Sequence, residues 1–235
     1  MNDVPQYQVK TISEFHRLHG LPAPANPLIS VADYRELTRA GYGNHAWLMI
    51  GLYVVSLKRG VNNLHYGRQE YDFDDGVLYF LAPGQVLKVD GPLSDPDRRS
   101  GWLLLIHPDF LWNTSLAGSI RNYEFFDYAI HEALILSEQE EEVLNRTIHL
   151  IRDEYRSTMD RHSKRIIVSH IETLLNYAQR FYDRQFMTRE KANHQLVDRV
   201  DRLLMDYFNQ QRLITDGLPS VQYVADELGV SPGYL

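Results

Sequence analysis

Up to about residue 130 the chain is a series of short apolar, β-branched and aromatic runs cut by Gly and Pro. Beyond that point apolar residues recur at three- and four-residue intervals. Ala46–Lys58 is a continuous apolar run, which predicts a strand covered on both faces, and Gly60-Val61-Asn62-Asn63 reads as the turn after it. Leu64–Phe73, Val77–Leu81, Gln85–Val89 and Gly101–His107 follow as further strands, with breaks at Asp74-Asp75-Gly76 and Ala82-Pro83-Gly84. Turn-separated strands at roughly 8–12-residue spacing predict a β-sandwich or barrel.

The second pattern begins at Ser137-Glu138-Gln139-Glu140, where Ser137 can cap a helix and Glu140 can reach back to it. Leu144, Ile148, Ile151 and Tyr155 form one stripe of that helix. Ile167, Ile171, Leu174, Ala178 and Phe181 predict a second helix, and Leu196, Val200, Leu203 and Tyr207 a third. Such stripes make core, and part of one could serve as a dimer seam.

After a loop at Arg212–Leu218, the pattern shortens. Val221, Val224, Ala225 and Leu228 predict one apolar face of a short helix, with Ala225 small enough for another helix to cross closely. Gly229 supplies a sharp turn, and Ser231-Pro232 is an N-cap followed by a proline at the first helical position. Two short helices around such a turn make a helix-turn-helix, whose second helix reads the DNA groove.

Ala225, Leu228, Val230, Ser231 and Leu235 together resemble the first helix-turn-helix of the AraC/XylS family of transcription regulators, over about the last 17 residues. The order of parts fits as well, since that family places a cupin-like β-barrel and a helical linker before its DNA-binding domain. The resemblance implies an α+β chain: a cupin-like effector-binding and dimerisation domain over 1–130, a helical linker over 131–212, and the start of the DNA-binding domain over 213–235. It implies DNA-binding roles for Ala225, Gly229, Ser231 and Tyr234. The family's base-reading positions fall at or beyond Gly233 and Leu235, so the chain is expected to be a fragment lacking most of the DNA-reading surface. Its implied partners are duplex DNA, a small-molecule effector and a second copy of itself.

Charge fits a fragment. The chain carries 24 Lys+Arg against 31 Asp+Glu, a net of -7, and neither residues 1–130 (11 basic, 14 acidic) nor 131–235 (13 and 17) make a basic module. No cysteine is present, which excludes disulfides and thiolate chemistry. The N-terminus lacks a signal-peptide pattern and no apolar run is long enough to span a bilayer, so a cytoplasmic protein without membrane contact is expected.

Enzymatic cupins hold a metal with a His-x-His pair, a Glu and a further His, and this sequence departs at each place. Around His65 there is one His and Glu70 but no His-x-His, and Gln85-Val86-Leu87-Lys88 contains no His. No metal, cofactor or catalytic residue is therefore expected. His107 before Pro108 reads as a turn cap, and His16 and His19 as an exposed pair suited at most to an adventitious metal. Tyr53, His65, Tyr66, Tyr79 and Trp102 are the polar-aromatic candidates to meet a planar or sugar-like effector inside the barrel, with plain core packing as their other role. The expected mechanism is effector-biased repacking of barrel, helices and DNA-binding domain. Two alternatives stand beside it: a degenerate cupin enzyme using His65, Glu70 or His107, and a constitutive regulator whose barrel only dimerises.

Overall fold

A computed structural model describes residues 5–39, 41–66, 69–73, 76–90, 95–126, 134–209 and 218–230. The fold is α+β, and the chain divides into two compact units, Met1–Tyr182 and Asp183–Leu235. No helix among the described residues is long and apolar enough to cross a membrane.

Two sheets organise the first unit. The smaller contains β1 (Gln6–Val9), β3 (His45–Ile50) and β8 (Gln85–Asp90), with β1 parallel and β8 antiparallel to β3. The larger runs in the order β10 (Leu134–Ile135), β7 (Val77–Leu81), β4 (Tyr53–Arg59), β9 (Ser100–Ile106), β2 (Ile29–Asp33), and every neighbouring pair is antiparallel. A separate hairpin pairs β5 (Val61–Tyr66) with β6 (Gln69–Phe73). The sheets are not closed into a barrel.

The run Ala46–Lys58 is two strands, one in each sheet. The break falls at Gly51, whose N–H donates to the carbonyl of Val9 at 2.7 Å, and hydrophobicity alone carries no mark of it. Nor is the whole run covered on both faces. On β3, Ala46, Leu48 and Ile50 are buried while Trp47 and Met49 are exposed; on β4, Tyr53 through Leu57 are all buried. Leu64–Phe73 likewise splits between two paired strands, and the expected turn at Gly60–Asn63 narrows to Gly60, because β5 already starts at Val61.

The core between the sheets takes Val9, Leu48 and Ile50 from one side and Ala32, Val54, Leu103 and Leu105 from the other. It is closed at one end by helix α1 (Ile12–Leu18), which Thr11 and Glu14 start with a capping box. Short helices α2 (Pro108–Leu111) and α3 (Leu116–Ser119) follow β9.

Helix α4 (Glu138–Arg156) begins with the expected capping box of Ser137 and Glu140, and Leu144, Ile148, Ile151 and Tyr155 are all buried. It packs on the larger sheet. The Tyr155 hydroxyl accepts from Val31 N–H at 3.0 Å, Trp102 Nε1 donates to Asn145 Oδ1 at 2.8 Å, and Arg59 pairs with Glu141 at 2.6 Å. The second and third predicted helices are one, α5 (Ser163–Asn209), whose 47 residues include neither Gly nor Pro to interrupt it. In the first unit its stripe of Ile167, Ile171, Leu174, Ala178 and Phe181 is buried.

The second unit holds the rest of α5 and helix α6 (Val221–Leu228). Arg199 donates to the carbonyl of Leu228 at 2.9 Å, and the rings of Tyr207 and Tyr223 meet edge to face at 5.6 Å.

Candidate functional site

Between the two sheets lies a cavity of about 100 Å³. Strand alternation decides what reaches it. On β4, Val54, Ser56 and Lys58 face it; on β3 and β8, Leu48, Ile50, Leu87 and Val89 do; Leu81 and Leu103 complete the apolar wall. The remaining lining comes from α1, with Phe15 and His19, and from the segment that crosses it, with Tyr34, Leu37, Arg39 and Tyr42.

That segment is held closely. Arg99, buried, donates to the carbonyls of Arg35 and Leu37, and Thr38 N–H donates to the carbonyl of His19 at 2.8 Å. Gly20, at φ +67, ends α1 in the left-handed region, and any Cβ there would collide with the Thr38 hydroxyl. The close approach of loop to helix end depends on it.

The polar groups in the cavity form a chain whose donors can be assigned. His19 Nδ1 lies 2.9 Å from the carbonyl of Phe15, an acceptor only, so Nδ1 carries the proton and Nε2 accepts from the Tyr42 hydroxyl at 3.0 Å. The Arg39 guanidinium stands beside the Tyr42 hydroxyl in the same lining. His19 is neutral: burial drives its pKa down to about 4, and the cations Lys58 and Arg39 reinforce the shift. Burial also pushes the Tyr42 hydroxyl up to about 12 and raises that of Tyr34.

Two cations stand in this apolar setting. Arg39 Nε and Nη1 are buried with no hydrogen-bond partner. The Lys58 ammonium lies between two aromatic faces, 5.4 Å from the Tyr34 ring centre and 5.0 Å from that of Tyr79, and burial with the neighbouring Arg39 lowers its pKa to about 8. No carboxylate lines the cavity among the described residues. Rings, guanidinium and ammonium together make a small donor-rich chamber with greasy walls.

The expected ligand residues distribute unevenly. Tyr79 shares the cavity face of its strand, opposite Ser56, and touches the Lys58 ammonium. Tyr53 and Trp102 face the other way: Tyr53 packs edge to face on Phe126, and Trp102 bonds to Asn145 on α4. The side chains of His65 and Tyr66 lie outside the described residues. Sequence reasoning missed Arg39, Lys58, His19, Tyr42 and Tyr34. The one signal available was Lys58 two residues after Ser56 in an apolar strand, which places both on one face.

His16 and His19 are not an exposed metal pair. Both are buried, and each ring is committed internally, His16 to the carbonyl of Pro22 at 2.5 Å and the hydroxyl of Ser30 at 3.0 Å. His107 caps α2 by accepting from Asp109 N–H at 3.2 Å. No group of three or more His or acidic side chains suited to a metal occurs among the described residues.

In the second unit, Ser220 caps α6 by accepting from Tyr223 N–H at 3.1 Å. Val224, Ala225 and Leu228 are buried, while Val221, expected on the same face, is exposed. Gly229 ends the helix at φ +67; its N–H donates to Asp226 and that of Val230 to Ala225, the paired bonds of a Schellman cap. Ser231 and Tyr234 lie outside the described residues. No protein-family model matches this chain, and no curated protein matches it significantly.

Proposed function

We propose that this chain is the sensing portion and opening helix of an AraC-type transcription regulator: a cupin-like β domain that takes a small effector, a helical linker that also dimerises, and the first helix of a helix-turn-helix. The observation that carries the reading is α6. A serine-capped helix of eight residues, with a fully buried alanine and a left-handed glycine directly after it, is the arrangement a helix-turn-helix needs before its recognition helix. The cavity between the sheets supports the sensing role, since a purely structural core of this size would be filled by its own side chains. Effector binding would act by favouring one packing of the linker helices over another, and so change affinity for a cytoplasmic DNA target. The acidic balance gives these 235 residues little phosphate-binding surface of their own.

The test is selection of duplexes from a random pool by the full-length gene product that contains this chain, at about 0.15 M salt where non-specific binding is weak. A regulator enriches one sequence motif, and Ala225→Leu, which blocks the close helix crossing, abolishes the enrichment. Recovery of no motif by the folded full-length gene product overturns the proposal.

A further inference from the structure

We infer that the cavity takes a small organic monocarboxylate, its carboxylate held between the Arg39 guanidinium and the Lys58 ammonium and its apolar remainder against Leu48, Leu87 and Leu103. The inference deepens the sensory reading above and rests on it.

Four observations converge. Arg39 presents two buried nitrogens with no acceptor, and buried guanidinium N–H groups left unpaired are costly enough that a native site needs a reason for them. Among the described residues the Lys58 ammonium lies against two ring faces, and Arg39 and Lys58 oppose each other's charge in the same enclosed space. An anion between them relieves both at once, with charge-assisted bonds. The remaining groups are weighted toward donors: Arg and Lys only donate, the one imidazole acceptor, His19 Nε2, is already taken by Tyr42, and the Ser56 and Tyr34 hydroxyls can donate as well as accept. A sugar would bring hydroxyl protons with few acceptors to receive them, whereas a carboxylate brings acceptors alone.

The walls and the size narrow the class further. Phosphate or sulfate presents oxygen on every side, but Leu48, Ile50, Leu87, Val89 and Leu103 can solvate none of it. A carboxylate with a hydrocarbon tail matches a chamber polar at one end and apolar at the other. At about 100 Å³ the space is well below that of drug-sized ligand sites and smaller than a cavity that holds benzene, which selects acids of roughly two to four carbons.

The experiment is calorimetric titration of this chain at pH 7 and constant ionic strength with acetate, propionate, butyrate, butyramide and inorganic phosphate. At least one of the three carboxylates binds, and butyramide and phosphate bind at least about tenfold more weakly. Arg39→Met and Lys58→Met each weaken the carboxylate at least tenfold, while Arg39→Lys, which keeps a charge, loses less; circular dichroism and melting verify that each variant folds. Carboxylate binding unchanged in the Met variants, or phosphate bound as tightly, overturns the inference. If the carboxylates fail and a screen of neutral alcohols, amides and sugars yields a ligand that Val54→Phe excludes, the anionic class is wrong and the sensory reading stands. If nothing binds, both fall.

Discussion

Replacing Lys58 by methionine keeps the stem that lies along the cavity wall and removes the ammonium, and the folded protein should become more stable at neutral pH. The Lys58 side chain as a whole is partly exposed, but its ammonium is closed in by protein atoms, and its pKa sits at about 8 where a free lysine sits at 10.5. At about 1.4 kcal/mol per pH unit, the interior disfavours the cation by about 3 kcal/mol. Contacts with the Tyr34 and Tyr79 rings offset about 1–2 kcal/mol of that, so Lys58→Met gains about 1–2 kcal/mol, a rise of about 4 °C in Tm. The pH dependence is a sharper check. Below pH 8 both folded and unfolded chains hold the proton and the penalty is complete. Between 8 and 10.5 the folded protein has released a proton that the unfolded chain retains, so wild-type stability climbs through that window. Lys58→Met lacks the climb, and its advantage closes by about pH 10.5. Urea unfolding followed by tryptophan fluorescence isolates the right part of the molecule, because Trp47, Trp102 and Trp112 all belong to the first unit. A variant less stable than wild type at pH 7, or a difference constant from pH 7 to 10.5, refutes the picture of an uncompensated cation.

Two more expectations concern stability rather than binding. His19, at about 4 when folded against 6.5 when free, must charge in the unfolded chain first, so stability should fall as pH drops from 6.5 to 4; His19→Gln should flatten that decline by up to about 3 kcal/mol, measured by urea midpoints across the range. Gly229→Ala forces a side chain into the left-handed region and should cost about 1 kcal/mol, seen as faster amide exchange at Val224–Val230; unchanged exchange would show that the Schellman turn does not hold the end of α6.

How legible these features were depended on whether their determinants are local. The α4 and α6 starts and the Gly229 ending are set by residues within four positions of one another, and serine caps and a left-handed glycine can be read directly. Strands β7, β8 and β9 were bounded by turn residues and fell close to their expected limits. The division of Ala46–Lys58 was not legible, because assignment of strands to sheets depends on β1, which pairs in parallel with β3 across some forty residues. The cavity escaped for the same reason. Arg39 belongs to a segment that reads as loop, and nothing near it in sequence says that α1 and two sheets will surround it. Aromatic residues drew attention instead, and on a sheet covered on both faces half of them, Tyr53 and Trp102 among them, serve the face that carries α4 and Phe126.

Successive residues of β4 are committed to opposite sides of the larger sheet. Lys58 stands in the cavity, and Arg59, the very next residue, is clamped to Glu141 at the start of α4 by two short bonds from Nε and one from the guanidinium tip. The two attachments are adjacent on the strand, so a change in the position of Lys58 would be felt at Arg59 and at the first turn of α4. A single peptide unit thus joins the cavity wall to the helix, with no intermediate side chain between them.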